Sequence, residues 1–344
     1  MVQLLQALAV RWMTRSESGG AAAIVPPLLE RCPLCRGWVT GSLVLVLLFI
    51  LFPPPAAPAA GLSGPAAAGF TLLHWAAELT AGQFTARANL VEVYATVTDE
   101  AGRALTGLQS ADFIIEEDGE RQSIEAFATG DAPLALAVGV DRSFSVPPEV
   151  LSQVTAGVGT VVGRLLPGDR VMLLGIGSET EVIAPLDAGR DAVRAALPSL
   201  ERWGTTPLFD AVIQAIDTIQ PASGRRALIL LSDGIDRYSR ARVADVVRHA
   251  REHDVLVYPV SIGRTREAVW SEVATVSGAR SFHVRDAREV AATLQAVVDE
   301  LRHQYLLGYA PPNGGRAGWR SISVRVNRPR ARVRARDGYL APSR

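Results

Sequence analysis

The stretch Leu134-Ala135-Leu136-Ala137-Val138-Gly139-Val140-Asp141-Arg142-Ser143-Phe144-Ser145 decides how this chain is read. Leu134 to Val140 is an unbroken apolar run, as a strand buried on both faces requires, and such strands belong to parallel sheets covered by helices on each side. A carboxylate and two hydroxyls then follow at alternate positions. That is where an open α/β sheet presents its ligand-binding crevice, and oxygen donors are what a hard cation selects.

Outward from this strand, strands and helices alternate. Pro147 and Pro148 suit a first helical turn, and Leu151, Val154, Val158, Val161 and Leu165 recur at helical spacing until Pro167-Gly168 ends the run. Further strands are expected over 170–176, 181–183, 227–231, 255–262 and 281–284. Helices are expected over 191–197, 241–253, 270–276 and 290–301, with another from just after Thr206 to Ile219. The fold class this implies is α/β with a doubly wound, mostly parallel sheet. Ala227 to Leu231 is a second fully buried strand, and it delivers Asp233 at its carboxyl end. Thr206, in Gly204-Thr205-Thr206-Pro207, begins a helix in the same ring of loops.

Asp141, Ser143, Ser145, Thr206 and Asp233 therefore form a candidate metal site of three hydroxyls and two carboxylates, suited to Mg2+ or Mn2+. With so few anionic ligands the ion stays electrophilic and keeps a position for an outside carboxylate. The expected partner is a protein ligand presenting Asp or Glu.

These residues resemble the metal-ion-dependent adhesion site of the von Willebrand factor A (VWA) domain. Asp141-Arg142-Ser143-Phe144-Ser145 matches its DxSxS element, Thr206 its threonine and Asp233 in LLSDG its later aspartate. The similarity covers roughly residues 131–303. The wider chain is similar to bacterial VWA-related proteins with a leading β segment like TVTDEAGRALTGLQSADFIIEEDG and a tail like YLLGYAPP followed by RARDGYLAP. The resemblance implies a Rossmann-like fold and a metal-dependent binding site.

Other readings of the same residues stay open at this point. Asp and Ser before a helix also serve as caps, Thr206 can be an N-cap with Pro207 at the first helical position, and Asp233-Gly234 can be a turn. Asp210, Asp236 and Arg142 either touch the ligand or face water. No enzyme activity is expected. His249, His253, His283 and His303 lack motif support as a base for either serine, and neither a GxSxG elbow nor a GxxxxGK[ST] phosphate loop occurs.

The ends of the chain set location. Residues 1–36 read as a cytoplasmic or dispensable N-terminal segment, 37–52 as a transmembrane anchor or signal sequence, and 53–85 as a Pro/Ala/Gly-rich linker. Arginines precede the apolar run, which places that end in the cytoplasm and everything after residue 60 outside it. The expected location is the cell envelope, membrane-anchored through the N-terminal segment, or secreted if the leader is cleaved. Cys32 and Cys35 are the only cysteines, so their CxxC lacks the second pair a zinc site needs.

Residues 86–130 form a small β module, with strands over 90–98, 113–117 and 124–127 and a hairpin turn at Asp118-Gly119. Glu116, Glu117 and Asp118 beside that turn are expected to be solvated. Residues 304–344, with strands over 304–309, 322–326 and 333–340, form a C-terminal β segment that completes the module. Nine arginines follow residue 315 there, against the single acid Asp337. They are read as exposed strand faces, not a nucleic-acid surface, because 35 basic residues balance 35 acidic ones over the chain. The functional expectation is an exported, membrane-associated protein that binds an acidic group of a partner through a divalent metal. The alternative is a structural envelope-assembly module with a vestigial metal site and contacts made by β strands.

Overall fold

The computed structural model of the protein describes residues 90–130, 132–311 and 317–342. The segments 1–36, 37–52 and 53–85, and with them Cys32 and Cys35, lie outside the described residues. Among those described, no helix is long and apolar enough to cross a membrane.

Four strands come first: β1 (Val91–Thr98), β2 (Phe113–Glu117), β3 (Glu120–Gln122) and β4 (Ala126–Thr129). Asp118 (φ 50°) and Gly119 (φ 84°) both take the left-handed conformation that a two-residue hairpin turn demands, and short polar residues and glycine adopt it most cheaply. The turn is so tight that β2 pairs at once with Glu120–Gln122. The strand expected over 124–127 is displaced to Ala126–Thr129, and it pairs in a different sheet.

β5 (Leu134–Asp141) is buried at every position. Its pleat sends Leu134, Leu136, Val138 and Val140 into one hydrophobic cluster and Ala135 and Ala137 into another. Helices α1 (Pro148–Gly163), α2 (Gly189–Ala196) and α6 (Val290–Arg302) cover the first face. The second is covered by α3 (Leu208–Ile219), α4 (Val243–Glu252) and α5 (Ala268–Val276). With β6 (Arg170–Ile176), β7 (Thr180–Ala184), β8 (Arg225–Ser232), β9 (Leu256–Ile262) and β10 (Phe282–Val284), β5 forms a six-stranded sheet. Its order is β10-β9-β8-β5-β6-β7, and only β7 runs antiparallel to its neighbour. The chain leaves β5 toward β6 and returns on the other side at β8. The crevice at this reversal of strand order lies beyond Asp141 and Ser232.

α1 stops at Gly163, short of the expected Pro167-Gly168. The buried Asp169 carboxylate captures the loop that follows, accepting the N–H groups of Leu166 (2.7 Å) and Leu134 (3.1 Å) and pairing with Arg302. One side chain thus fixes the start of β5 and the end of α6.

The C-terminal strands are β11 (Tyr305–Tyr309), β12 (Gly318–Val326), β13 (Arg332–Arg334) and β14 (Gly338–Ala341). They interleave with the first four as two antiparallel sheets, β13-β1-β11-β4 and β14-β12-β2-β3. Val93, Ala95, Val97, Phe113, Ile115, Leu307 and Ile322 fill the space between them. The small β module is therefore a sandwich built from both flanking segments.

The acidic group is solvated only in part: Asp118 is exposed as expected, Glu116 is half-buried and Glu117 is not solvated. Glu117 is buried and accepts hydrogen bonds from Tyr309 (2.7 Å), Tyr339 (3.1 Å) and Arg320 (2.5 Å). Burial and the Glu117 charge push the Tyr339 hydroxyl up to about 12. Glu116 pairs with Arg325, and Asp118 accepts the Ser321 N–H at 2.8 Å. Arg328, Arg334 and Arg336 find Asp112, Glu300 and Asp254. Much of the basic tail is thus paired within the chain, which local sequence could not show because the partners lie far away along it.

Glu117→Ala is expected to lower the unfolding free energy by about 3 kcal/mol, because it removes the buried carboxylate that Tyr309, Tyr339 and Arg320 share and leaves the buried Tyr309 hydroxyl unsatisfied. Urea denaturation measures this; a change below about 0.5 kcal/mol, the size of an ordinary surface substitution, would show that the cluster does not hold the two sheets.

Candidate metal-binding site

Backbone hydrogen bonds stitch three loops together at the carboxyl ends of β5 and β8. Trp203 N–H donates to the Arg142 carbonyl (2.7 Å), and Phe144 N–H to the Gly204 carbonyl (3.1 Å). Arg237 N–H donates to the Thr206 carbonyl (2.8 Å), which adds the loop after β8. Gly204 (φ 78°) lets the same loop lie against the turn after β6, since a Cβ there would lie 2.4 Å from Ser178 Oγ.

Within this frame the hydroxyls converge. Ser143 Oγ and Ser145 Oγ are 2.9 Å apart, and Ser145 Oγ is 3.4 Å from Thr206 Oγ1. Asp141, Ser143 and Thr206 are buried and Ser145 is exposed, so the group opens on one side only. Asp141 accepts the Ser143 N–H on Oδ1 (2.9 Å) and the Ser232 hydroxyl on Oδ2 (2.7 Å). Asp233 accepts the Ile235 N–H on Oδ1 (2.9 Å), and it lines with Asp141 and Ser232 a cavity of about 150 Å³ whose remaining wall includes Val146, Val150 and Ile262.

The electrostatics leave a deficit. Among the described residues Asp141 has no ion-pair partner, and its charged neighbour is Asp233, of the same sign. Burial raises its pKa above the ordinary 3.8, and the Asp233 charge adds to the rise against the opposing hydrogen bonds. Arg285 lines the same cavity, but among the described residues it forms no ion pair with either carboxylate, and two carboxylates with three hydroxyls in this one-sided pocket form a donor set that fits a divalent ion of the Mg2+ type.

The capping alternatives give way at two loops and persist at the third. α1 is preceded by Pro147 and α3 by Pro207, and neither N-cap makes a side-chain capping bond, so Ser143, Ser145 and Thr206 are free for the site. Asp233 does hold a turn, with Gly234 at φ 82°, but only through one oxygen. Asp210 and Asp236 are structural: Asp210 accepts the N–H groups of Arg240 (2.8 Å) and Ala241 (2.9 Å), and Asp236 accepts the Phe209 N–H (3.1 Å) and the Ser239 hydroxyl (2.6 Å). Arg142 turns to Glu181 at 2.7 Å. Sequence reasoning missed Ser232, which bridges the Asp141 carboxylate and the Gly234 N–H (3.0 Å). The only signal for it was a hydroxyl directly after the apolar run Ala227 to Leu231.

Residues 136–298 match the family model of the von Willebrand factor type A domain, and the chain carries that domain. Such domains commonly bind protein partners through a metal-ion-dependent adhesion site. No curated protein matches the sequence. Among solved structures, the chain is similar to an aerotolerance-related membrane protein from Bacteroides fragilis NCTC 9343, at 18% identity over 49% of this chain and 98% of that one, with a TM-score of 0.40. A von Willebrand factor type A structure from Catenulispora acidiphila aligns at 13% identity over 67% and 74%, with a TM-score of 0.44. Proximal thread matrix protein 1 from the mussel byssus, solved with a zinc-occupied MIDAS motif, aligns at 15% identity over 60% and 50%, with a TM-score of 0.46. Likenesses this distant carry no functional weight.

The raised pKa of Asp141 sets a sign. Its contribution to stability is fully present below the unfolded value near 3.8 and is lost as pH rises through the higher folded value, so on this group's account the metal-free fold is weaker at neutral pH than in acid. Asp141→Asn is expected to raise the melting temperature in EDTA at pH 7 and to abolish the rise that Mg2+ produces in the unaltered protein. Thermal unfolding with and without metal tests both; a lower melting temperature in EDTA would make Asp141 a purely structural residue.

Proposed function

We propose that this chain is an exported, N-terminally anchored, non-catalytic binding protein whose VWA domain captures a carboxylate of a protein partner. In this reading Asp141, Ser143, Ser145, Thr206 and Asp233 hold Mg2+ or Mn2+, and the bound ion supplies the attraction for an acidic side chain. The observation that carries it is the rim around these oxygens. Phe144, Trp203 and Tyr238 are 64%, 43% and 81% exposed, one from each of the three stitched loops. Exposed aromatics are costly surface and are the residues that anchor interfaces.

The rim is also held in place. Arg202 lies over the Phe144 ring (5.7 Å) and donates to the Phe144 carbonyl (2.6 Å), while Arg142 lies over Trp203 (5.5 Å). Tyr238 sits at φ 71°, a conformation that costs a bulky residue on the order of 1–3 kcal/mol and is tolerated where function requires it. Guanidinium groups beside the aromatics favour an acidic partner. Ser143 and Ser145 have each other and Thr206 as side-chain partners and no histidine among the described residues, which supports binding over nucleophilic chemistry. Export rests on the arginine-flanked apolar run 37–52.

Calorimetry is expected to detect Mg2+ or Mn2+ binding that Asp141→Ala removes. Envelope proteins captured in Mg2+ are expected to be released by EDTA and lost with Thr206→Ala, whereas Phe144→Ala keeps the metal and weakens capture by about tenfold or more. Capture that persists in EDTA would transfer the contacts to the β strands and overturn the metal-dependent reading.

A further inference from the structure

A second group of potential ligands lies on the α3–α4 face. Asp217 stands nine residues into α3, about 14 Å along its axis from the Thr206 end. His249 belongs to α4, and His253 immediately follows it, four residues on and so on the same side. His249 Nε2 is 2.8 Å from Asp217 Oδ1 and His253 Nε2 is 4.0 Å from the same oxygen. One donor atom from each residue lies within 4.8 Å of the other two. The imidazoles face each other with centroids 4.0 Å apart.

A simple His–Asp hydrogen bond explains half of this. It accounts for His249, but it leaves the Nε2 of His253 directed at the same carboxylate from beyond hydrogen-bond range. His253 is also set as a metal-binding imidazole usually is. Its Nδ1 lies 2.8 Å from the His249 carbonyl, which can only accept, so Nδ1 carries the proton and Nε2 is left as the outward nitrogen.

We propose that Asp217, His249 and His253 form a second metal site, selective for Zn2+ and related borderline ions such as Co2+, that joins α3 to α4. Ligand atoms about 2.0–2.2 Å from a tetrahedral ion stand about 3.3 Å apart, so the observed separations close on one ion with modest side-chain rotation. Two nitrogens and one oxygen leave a fourth position for water or an outside donor. The donor type separates this site from the first, because imidazole suits Zn2+ and Co2+ whereas an all-oxygen set suits Mg2+ and Mn2+. Its consequence is a transition-metal staple on the helix whose other end carries Thr206.

The test uses the full-length chain carrying Asp141→Asn, Cys32→Ser and Cys35→Ser, which removes the first site and the N-terminal thiols. Co2+ titration is expected to give one equivalent with the visible d–d bands of a low-coordinate ion, displaced by Zn2+ and not by Mg2+. His253→Gln and Asp217→Asn are each expected to weaken Zn2+ binding at least about tenfold while leaving the melting temperature in EDTA unchanged. X-ray absorption of the Zn2+ form, which needs no further substitution, is expected to show two imidazoles. Unchanged affinity in both variants, or a Zn2+ shell without imidazole, would overturn the proposal.

Discussion

A carboxylate at the end of a strand buried on both faces is the constraint around which this protein is arranged. β5 can be wholly apolar only because helices cover it twice, and the same coverage denies Asp141 the water that would stabilise its charge. The Ser143 N–H and the Ser232 hydroxyl offset part of that loss, while Asp233 works against it. An arrangement of this kind is unbalanced without a cation. The loops that close over it bring hydroxyls, which ligate a cation without neutralising it.

The sandwich solves a different problem. Two short sets of strands from opposite ends of the chain could not each bury a core, so they share one, and Glu117 with its tyrosines and Arg320 lies between them. The contact with the VWA domain combines Tyr94 and Leu306, packed into the core on the first face of the large sheet, with directed polar bonds. Arg334 of β13 pairs with Glu300 near the end of α6 (2.9 Å), Gln304 reaches Thr96 in β1 (3.1 Å), and Arg225 at the start of β8 holds the carbonyls of Gly130 (3.2 Å) and Ala132 (3.0 Å). These bonds are directional, so they fix how the last helix meets the sandwich.

Legibility differed sharply between elements. β5 and β8 were readable because a short, continuous apolar run bounded by polar loop residues fits a strand buried on both faces, and their carboxyl-end residues followed from the direction of a parallel sheet. The 120–122 strand was not, because Glu-Arg-Gln has no β signature and is held by the hairpin turn alone. α1 ended early because Asp169 captures the following loop through backbone N–H groups, and no local pattern encodes that. The roles of Asp210 and Asp236 likewise depend on loops 30 and 27 positions away in the chain.

By itself, the sequence determined the sheet, its alternation with helices, and the residue types gathered along one edge, because periodicity and strand direction are local properties of a chain. The tertiary structure alone decided which of those residues lose their water, which carboxylates meet an arginine, and which meet only hydroxyls and backbone N–H groups. It also set Asp217 beside His249 and His253, a proximity created by the packing of α3 on α4. Burial and charge pairing are sums over neighbours in space, and the order of residues along the chain contains no such sum.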